Sequence, residues 1–362
     1  MEKPKGKLRT GYTTGACATA ATKAALLALI SGQPQREVEI DLPIGDKAVF
    51  TLAECILNNG SVTCGVVKDA GDDPDVTHQA MIKATVTWMQ MPGITLEAGE
   101  GVGVVTKPGL GLEVGTPDIT RTPRKMIEGV IQEVAGKKLK DRGVKVVFSV
   151  PGGEDLAKKT ELPRLGVTGG IAILGNTGIV RPYSTAAFKA SIGIAIEVAA
   201  KAGHRHLVFT TGGQSEKWAM RLIHFPQEAF IQMGDFVGHA LRESARRGIE
   251  KISIVGFPGK LSKIAMGKMQ THAAGSDVDI GFLADTAVTC GASGEIEAKL
   301  RAATTARHFM ELVLQERVQG VFDALCEKVC AHCRAHLKHP LTIETLMTDF
   351  EGKVIGRYAI GG

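Results

Sequence analysis

Glycine constrains this chain more than any other residue. There are 44 glycines among 362 residues, and they cluster at 11–15, 99–115, 152–153, 166–178, 212–213 and 256–259. Each cluster follows or separates a β-branched run. Glycine accepts positive φ and lets the backbone come close to a ligand or another strand. Six such loops point to a site built largely from backbone. The competing reading is a chain with many tight turns.

Composition narrows the field. Hydrophobic residues make up 44% and charged residues 22%, which excludes a collagen, a mucin-like stalk and a disordered chain. The length predicts two domains that bury enough surface to fold without staples. Lys and Arg number 43 against 38 Asp and Glu. The basic tracts are short (Lys137-Lys138, Arg246-Arg247), and three Tyr and two Trp leave little to stack on bases. Nucleic acid is therefore not expected as a partner, whereas an anionic small molecule is compatible with the excess charge. No apolar run approaches the ~18 residues of a membrane span, since Lys23 interrupts the best one, and no membrane role is expected. Residues 24–32 faintly resemble a signal peptide, but a buried or amphipathic helix explains them better. Seven cysteines without scaffold spacing suggest a reduced, cytoplasmic protein.

Along the chain, Thr13 or Thr14 caps a helix running to about Ile30. Strands are expected at 37–41, 48–53, 61–67, 82–88 and 102–106, giving an α+β first part. From about Tyr183 the pattern changes. Helices at 184–202, 234–247 and 260–271 alternate with strands at 206–211 and 251–255, the pattern of a doubly wound, mostly parallel sheet. Residues 298–337 read as all-helical.

Several segments carry chemistry. LRTGYTTGACATAATKAA sets Gly11 and Gly15 around Thr13-Thr14 at a helix start, which suits either an anion site or a plain cap. KDAGDDPDVTH holds Asp69, Asp72, Asp73 and Asp75. Such a loop binds a divalent cation, ribose hydroxyls or a cationic ligand, or forms turns, and its charges repel unless solvated or matched by a cation. GVGVVTKPGLGLEVG reads as a glycine-rich hairpin around Lys107, Gly109 and Gly111, suited to cover a large flat ligand. Arg121, Arg124 and Lys125 follow it, either as carboxylate partners or as a solvated basic turn. Thr211, Gly212 and Gly213 end one apolar strand. Gly259, Lys260 and Lys263 follow another, and ligands sit at such carboxyl ends. His272 and Asp277 close that segment, and a lone His is either structural or catalytic. Cys326, Cys330 and Cys333 share one helix face beside His332, His336 and His339, which suits a zinc site or ordinary buried thiols.

Taken together, these segments, with VPGGEDLAKKTELPRLGVTGGIAILGNTGIVRPYS and GFPGKLSKIAMGKMQTHAAGSDVD, resemble the signature blocks of the CbiD family. Its members are cobalt-precorrin-5B C(1)-methyltransferases of anaerobic cobalamin biosynthesis. The blocks run in order from Leu8 to Asp279. The stretch TPDITRTPRKMI and the Cys/His-rich helix depart from the family pattern. The resemblance implies an α+β domain with a mixed sheet over 1–182 and a Rossmann-like domain of parallel strands and helices, with a helical C-terminal region, over 183–362. It implies S-adenosylmethionine as methyl donor and a cobalt tetrapyrrole as substrate, giving cobalt-precorrin-6A. Cobalt then arrives with the substrate, and no protein metal site is required. Arg9, Lys107, Arg121, Arg124, Arg181, Lys260 and Lys263 would meet the tetrapyrrole's carboxylates, and His272 or Asp69 would manage a proton. Thr13, Thr14, Gly15, Asp72, Asp73, Asp75, Gly109, Gly111, Thr211, Gly212, Gly213, Gly259 and Asp277 complete the expected substrate- and donor-binding set. A homo-oligomer is compatible with this. Two other classes compete: a non-enzymatic tetrapyrrole or nucleotide carrier, and a nicotinamide-dependent reductase. The reductase is weakened because no Gly-x-Gly-x-x-Gly joins a strand to a helix ahead of an acid some twenty residues on.

Overall fold

Thr13 starts the first helix as its sequence suggests. Its hydroxyl accepts from Ala16 N, and helix α1 (Thr14–Ser31) ends on Gly32, whose φ of +70° closes the last turn. From Thr14 to Leu26, apart from Lys23, α1 is buried all round, because Ala, Gly, Thr and Cys let neighbours approach from every side. By length and hydropathy it is apolar enough to cross a membrane, yet it lies in the middle of a protein core. The structure, a computed structural model, describes residues 8–272, 277–337 and 340–361. The chain divides into two units, Met1–Ser184 and Thr185–Gly362.

In the first unit the strands are β1 (Gly11–Tyr12), β2 (Glu37–Asp41), β3 (Lys47–Thr51), β4 (Glu54–Asn58), β5 (Ser61–Val67), β6 (Met81–Met89), β7 (Ile94–Ala98), β8 (Gly101–Val102), β9 (Val104–Val105), β10 (Gly143–Ser149), β11 (Val167–Thr168), β12 (Gly170–Ile171) and β13 (Ile179–Val180). The main sheet has the order β4-β5-β6-β10-β7, antiparallel except for β10 with β7. Alternating burial along β5 and β6 marks one face turned to the core. That face packs on α1, which in turn packs on α2 (Arg121–Ala135). The short helix α3 (Gly153–Ala157) lies against β8 and β12.

Two expectations are refined in this unit. The glycine-rich segment does fold back on itself, with Val104 antiparallel to Pro117, Gly115 N–H donating to Val105 O at 2.8 Å and Val105 N–H to Thr116 O at 3.0 Å, but its short strands also pair outside it. Strand β8 runs parallel to β12 and β9 antiparallel to β11, both partners coming from 167–171. Glycine permits this crossing, since a Cβ on Gly170 would overlap the backbone of Gly101. Arg121, Arg124 and Lys125 do not form a turn but open α2, whose Ile127, Val130 and Ile131 face inward at helical spacing.

The second unit begins with α4 (Thr185–Lys201) and holds β14 (His206–Thr210), β15 (Phe230–Gln232), β16 (Lys251–Gly256), β17 (Thr342–Thr348) and β18 (Val354–Ile360). Its sheet order is β15-β14-β16-β17-β18, parallel except for β18. Leu207, Phe209, Ile252 and Ile254 point to one face, toward a core shared with α6 (Val237–Arg246) and α7 (Pro258–Ala265). Val208 and Val255 point to the other face, where α5 (Gly213–Leu222) supplies Ala219. Burial on both faces explains the mostly apolar runs of β14 and β16, in which Ser253 of β16 is buried and donates to Glu344 Oε2 at 2.8 Å. Helices α8 (Ile280–Thr289), α9 (Gly294–Arg301), α10 (Ala306–Gln315) and α11 (Val321–Ala335) precede the last two strands. The expected 260–271 helix is shorter: α7 ends at Ala265, before Gly267 turns the chain at φ +79°.

Candidate functional site

The acidic loop after β5 is built from paired charges. Arg9 forms an ion pair with Asp69 and donates its backbone N–H to Asp72 Oδ2 at 2.6 Å. The Arg9 bond and the Gly71 N–H hold the Asp69 carboxyl down at about 2. Asp73 accepts Tyr183 N at 3.0 Å. Asp75 accepts Lys68 Nζ at 2.7 Å, Thr77 N at 2.8 Å and Thr77 Oγ1 at 2.6 Å. Burial pushes Asp75 up, but these bonds and the Lys68 charge outweigh it and leave the carboxyl below its usual range. The repulsion expected among the four carboxylates is thus relieved by protein cations and N–H groups. Lys68, only 1% exposed, was not foreseen in this role.

Lys68 and Asp75 line a cavity of about 190 Å³ with Thr13, Thr14, Thr77, Thr160 and a mainly aliphatic wall. Helix α1 starts here. Its Gly15 N–H donates to Leu174 O at 3.0 Å and its Ala16 N–H to Thr13 Oγ1 at 3.2 Å. Thr14 Oγ1 donates to Ala172 O at 3.0 Å and accepts Leu174 N at 2.9 Å. The helix start is therefore already capped by its own chain, which corrects the open anion-cradle reading. Gly15 is required sterically, because a Cβ there would overlap Pro123.

In the second unit, Thr211 follows β14, Asp235 follows β15 and α7 follows β16. Lys260 Nζ donates to Thr211 O at 2.8 Å and pairs with Asp235 Oδ1 at 3.1 Å. Thr271 Oγ1 donates to the same Asp235 oxygen at 3.0 Å, and Lys263 Nζ reaches Thr271 O at 3.2 Å. Thr211 Oγ1 lies 3.2 Å from Ser215 Oγ, and Glu216 Oε2 accepts Gln232 Nε2 at 2.8 Å. Hydroxyls, carboxylates and an ammonium thus gather at the carboxyl ends of three parallel strands. Gly212 and Gly213 carry the chain from β14 into α5, and Gly259 lies in the first turn of α7. Ser215 and Glu216 follow Gly212-Gly213 in the strand–Gly–helix pattern that the sequence shows, whereas Asp235 was missed because it is a lone polar residue near a strand end.

The other expected residues have surroundings of their own. Lys107 is half-buried, its stem against Gly166, whereas Gly109 and Gly111 sit at positive φ in an open loop. Arg124 faces Glu128 at 3.9 Å on α2. Arg181, His272 and Asp277 are exposed. Asp69 belongs to the first unit and His272 to the second. Asp118, also unforeseen, is 4% exposed, and burial pushes its carboxyl up to about 6. Cys326, Cys330 and Cys333 are core residues of α11 with thiols shifted up by burial, and Cys330 lies 3.2 Å from Thr345 Oγ1. His336 meets Arg242 instead, and His339 lies outside the described residues. Among the described residues no group of three or more His, Cys, Asp or Glu is arranged to hold a metal ion.

The chain is similar to proteins of known family along nearly its whole length. The CbiD family profile matches residues 1–182, and that of the CbiD C-terminal domain matches 270–359. A cobalt-precorrin-5B C(1)-methyltransferase of Geobacillus kaustophilus is 50% identical over 354 residues, 98% of this chain and 95% of that one. The protein of the same name from Priestia megaterium is 47% identical over 98% of this chain and 97% of its own. A crystal structure of the cobalamin biosynthesis protein (cbiD) from Archaeoglobus fulgidus is 28% identical, covers 73% of this chain and 82% of its own, and has a TM-score of 0.38. The chain belongs to the CbiD family.

Proposed function

We infer that the chain is an enzyme that transfers a methyl group to a carbon of a cobalt tetrapyrrole. In particular, it is a cobalt-precorrin-5B C(1)-methyltransferase of cobalamin biosynthesis, forming cobalt-precorrin-6A. The observation that carries this is the 50% identity across 98% of the chain, which spans both units. The carrier and the reductase find no counterpart in those relatives' names.

The methyl donor in this reading is S-adenosylmethionine, held by the second unit. Support comes from that unit's Rossmann-like character, with parallel strands, helices on both faces and a polar cluster at the strand ends. Thr211, Ser215, Glu216 and Asp235 are the hydroxyl and carboxylate donor set that suits a ribose and an amino group. When bound, the donor supplies a methyl group on a positively charged sulfur, open to attack by an electron-rich carbon.

The chain's own task is to neutralise, align and exclude. Lys260 is held in place by Thr211 and Asp235 and offers an ammonium to a substrate carboxylate. Fixing both reactants along one line supplies most of the rate. Of the two residues proposed for the proton, Asp69 is a poor acceptor because Arg9 keeps it ionised at about 2. His272 takes that role in this reading. In this reading the protein works in the cytoplasm on a diffusible cobalt tetrapyrrole, with S-adenosylmethionine as methyl donor.

The test is anaerobic turnover of cobalt-precorrin-5B with S-adenosylmethionine, alongside calorimetric titration with S-adenosylhomocysteine, NADH and ATP. Carbon-1 methylation and binding of the homocysteine compound alone are expected. Unmethylated substrate would leave the carrier, and NADH binding would revive the reductase. Turnover unchanged in His272→Ala would remove that residue from the chemistry.

A further inference from the structure

We propose that the first-unit cavity seats a carboxylate on a short aliphatic arm, and that Lys68 binds it. The cavity is about 190 Å³. Sites that engulf a whole small molecule run to about 300–1,000 Å³, so this one takes an arm and leaves the body of the ligand outside. Its wall is aliphatic, from Val76, Leu162, Ile171, Leu174 and Val180. Such a wall suits a chain of two or three methylenes.

The floor selects the head group. Lys68 is 1% exposed, and a buried ammonium is costly unless its charge and N–H groups are matched. It carries three donors. Among the described residues it gives one hydrogen bond, to Asp75 Oδ2 at 2.7 Å. The neighbouring polar groups are already engaged. Asp75 Oδ1 takes both Thr77 bonds, Thr14 Oγ1 bridges Ala172 O and Leu174 N, and Thr160 Oγ1 donates to Ala157 O at 2.7 Å. Lys68 therefore has donors to spare where its neighbours have none, and it calls for an acceptor. The first turn of α1 borders the same cavity through Thr13 and Thr14, but its Gly15 and Ala16 N–H groups are already capped, so the anion is left to Lys68.

Two reactants of the methyl transfer carry such an arm: the tetrapyrrole, through its acetates and propionates, and the methyl donor, through its amino-acid end. The choice between them rests on the proposed function, but the binding of a carboxylate does not.

The experiment is calorimetric titration of the full chain with two pairs of probes. One pair is a cobalt corrinoid with free carboxylate arms and its methyl-ester counterpart. The other is S-adenosylhomocysteine and its decarboxylated counterpart. Two variants are compared with the wild type. Lys68→Met/Asp75→Asn removes both charges together and strands neither. Leu162→Trp fills the cavity and keeps the ion pair. The wild type should prefer the acid over its uncharged counterpart in one pair. Both variants should lose that preference, weakening binding of that acid by about 10–100-fold, the worth of a charge-assisted hydrogen bond, and leave the other pair unchanged. The pair affected names the source of the arm. If folded variants bind both acids as the wild type does, the inference fails while the proposed function stands. If wild-type turnover is absent but the preference and its loss are seen, the proposed function fails and the carboxylate site stands.

Discussion

Asp118 gives the sharpest quantitative test. It is 4% exposed and its carboxyl is raised from 3.8 to about 6 by burial. Its backbone is committed: the N–H donates to Gly103 O at 2.7 Å and the C=O accepts Ile173 N at 2.8 Å. The side chain can therefore be changed without disturbing the crossing of the 101–105 and 167–173 segments. A raised carboxyl keeps its proton longer in the folded chain than in the unfolded one. Stability is then greatest below about 3.8, falls as pH rises toward 6, and stays reduced above it. Two pKa units correspond to about 3 kcal/mol. Asp118→Asn keeps the shape and removes the charge, but its buried amide gives back about 1 kcal/mol. The expected net gain is about 2 kcal/mol at pH 7.5, turning to a loss of about 0.5 kcal/mol at pH 4. Urea unfolding reads this directly, because Trp88 lies in the first unit and Trp218 in the second. In a Trp218→Phe background, Trp88 fluorescence should show the midpoint rising by about 0.7 M at pH 7.5, taking a slope near 3 kcal/mol/M. An equal shift at both pH values, or a loss at pH 7.5, would refute the argument from desolvation. Were the gain accompanied by a fall in turnover, Asp118 would be retained for function at a cost in stability.

Other outcomes follow from the same packing. Gly11→Ala puts a Cβ closer than 3.0 Å to the backbone of the 69–71 loop, whereas Gly60→Ala meets nothing within 4 Å; thermal melts should show Gly11→Ala losing about 3 kcal/mol or more and Gly60→Ala about 1. Burial pushes Glu344 up, but Ser253, Arg357 and Lys251 hold it below its usual value, so its stabilisation is present above about 4.5 and is lost as pH falls further. Glu344→Gln should cost on the order of 3 kcal/mol at pH 7 and flatten that acid limb in a pH series of unfolding curves. Cys17, Cys64, Cys326, Cys330 and Cys333 are buried while Cys55 and Cys290 are half-exposed, so a thiol reagent should label at most two sites quickly in the native protein and the rest only on unfolding.

The legible parts of the fold were those with local signals. A threonine cap, an alanine-rich run and a closing glycine define α1, and the strand expected at 61–67 is β5 with the same bounds. Strands β14 and β16 were readable because burial on both faces leaves β-branched, mostly apolar runs, broken in β16 only by Ser253. What escaped was defined by remote partners. Strand β7 is short and makes sense only beside β10, and β9 finds its partner more than sixty residues away in β11. In the site, the Asp69–Asp75 loop was visible as charge, but which charges were matched was not. Lys68 was not singled out in the sequence, because a lysine ahead of an acidic loop carries no local sign of burial. Its pairing with Asp75 and its 1% exposure emerge only in the fold.

The pairing of these charges, taken one unit at a time, bears on how each cation would meet a ligand carboxylate under the proposed function. Arg9 is held by Asp69, Lys68 by Asp75, Lys260 by Asp235 and Arg124 by Glu128. A paired cation looks like a poor trap for a ligand carboxylate, because its net field is largely cancelled. The hydrogen-bond count argues otherwise. An ammonium carries three donors and a guanidinium five, and one carboxylate rarely uses them all. The partner fixes the side chain's direction and removes the entropy that an unpaired lysine would lose on binding. A ligand carboxylate then meets a pre-aimed donor with little reorganisation, but gains only a modest energy from it. Affinity has to be collected from several arms at once. Under the proposed function, that favours a reactant with many carboxylates spaced around a rigid ring over any monocarboxylate, and it would make the loss of a single cation tolerable except at Lys68, which is buried.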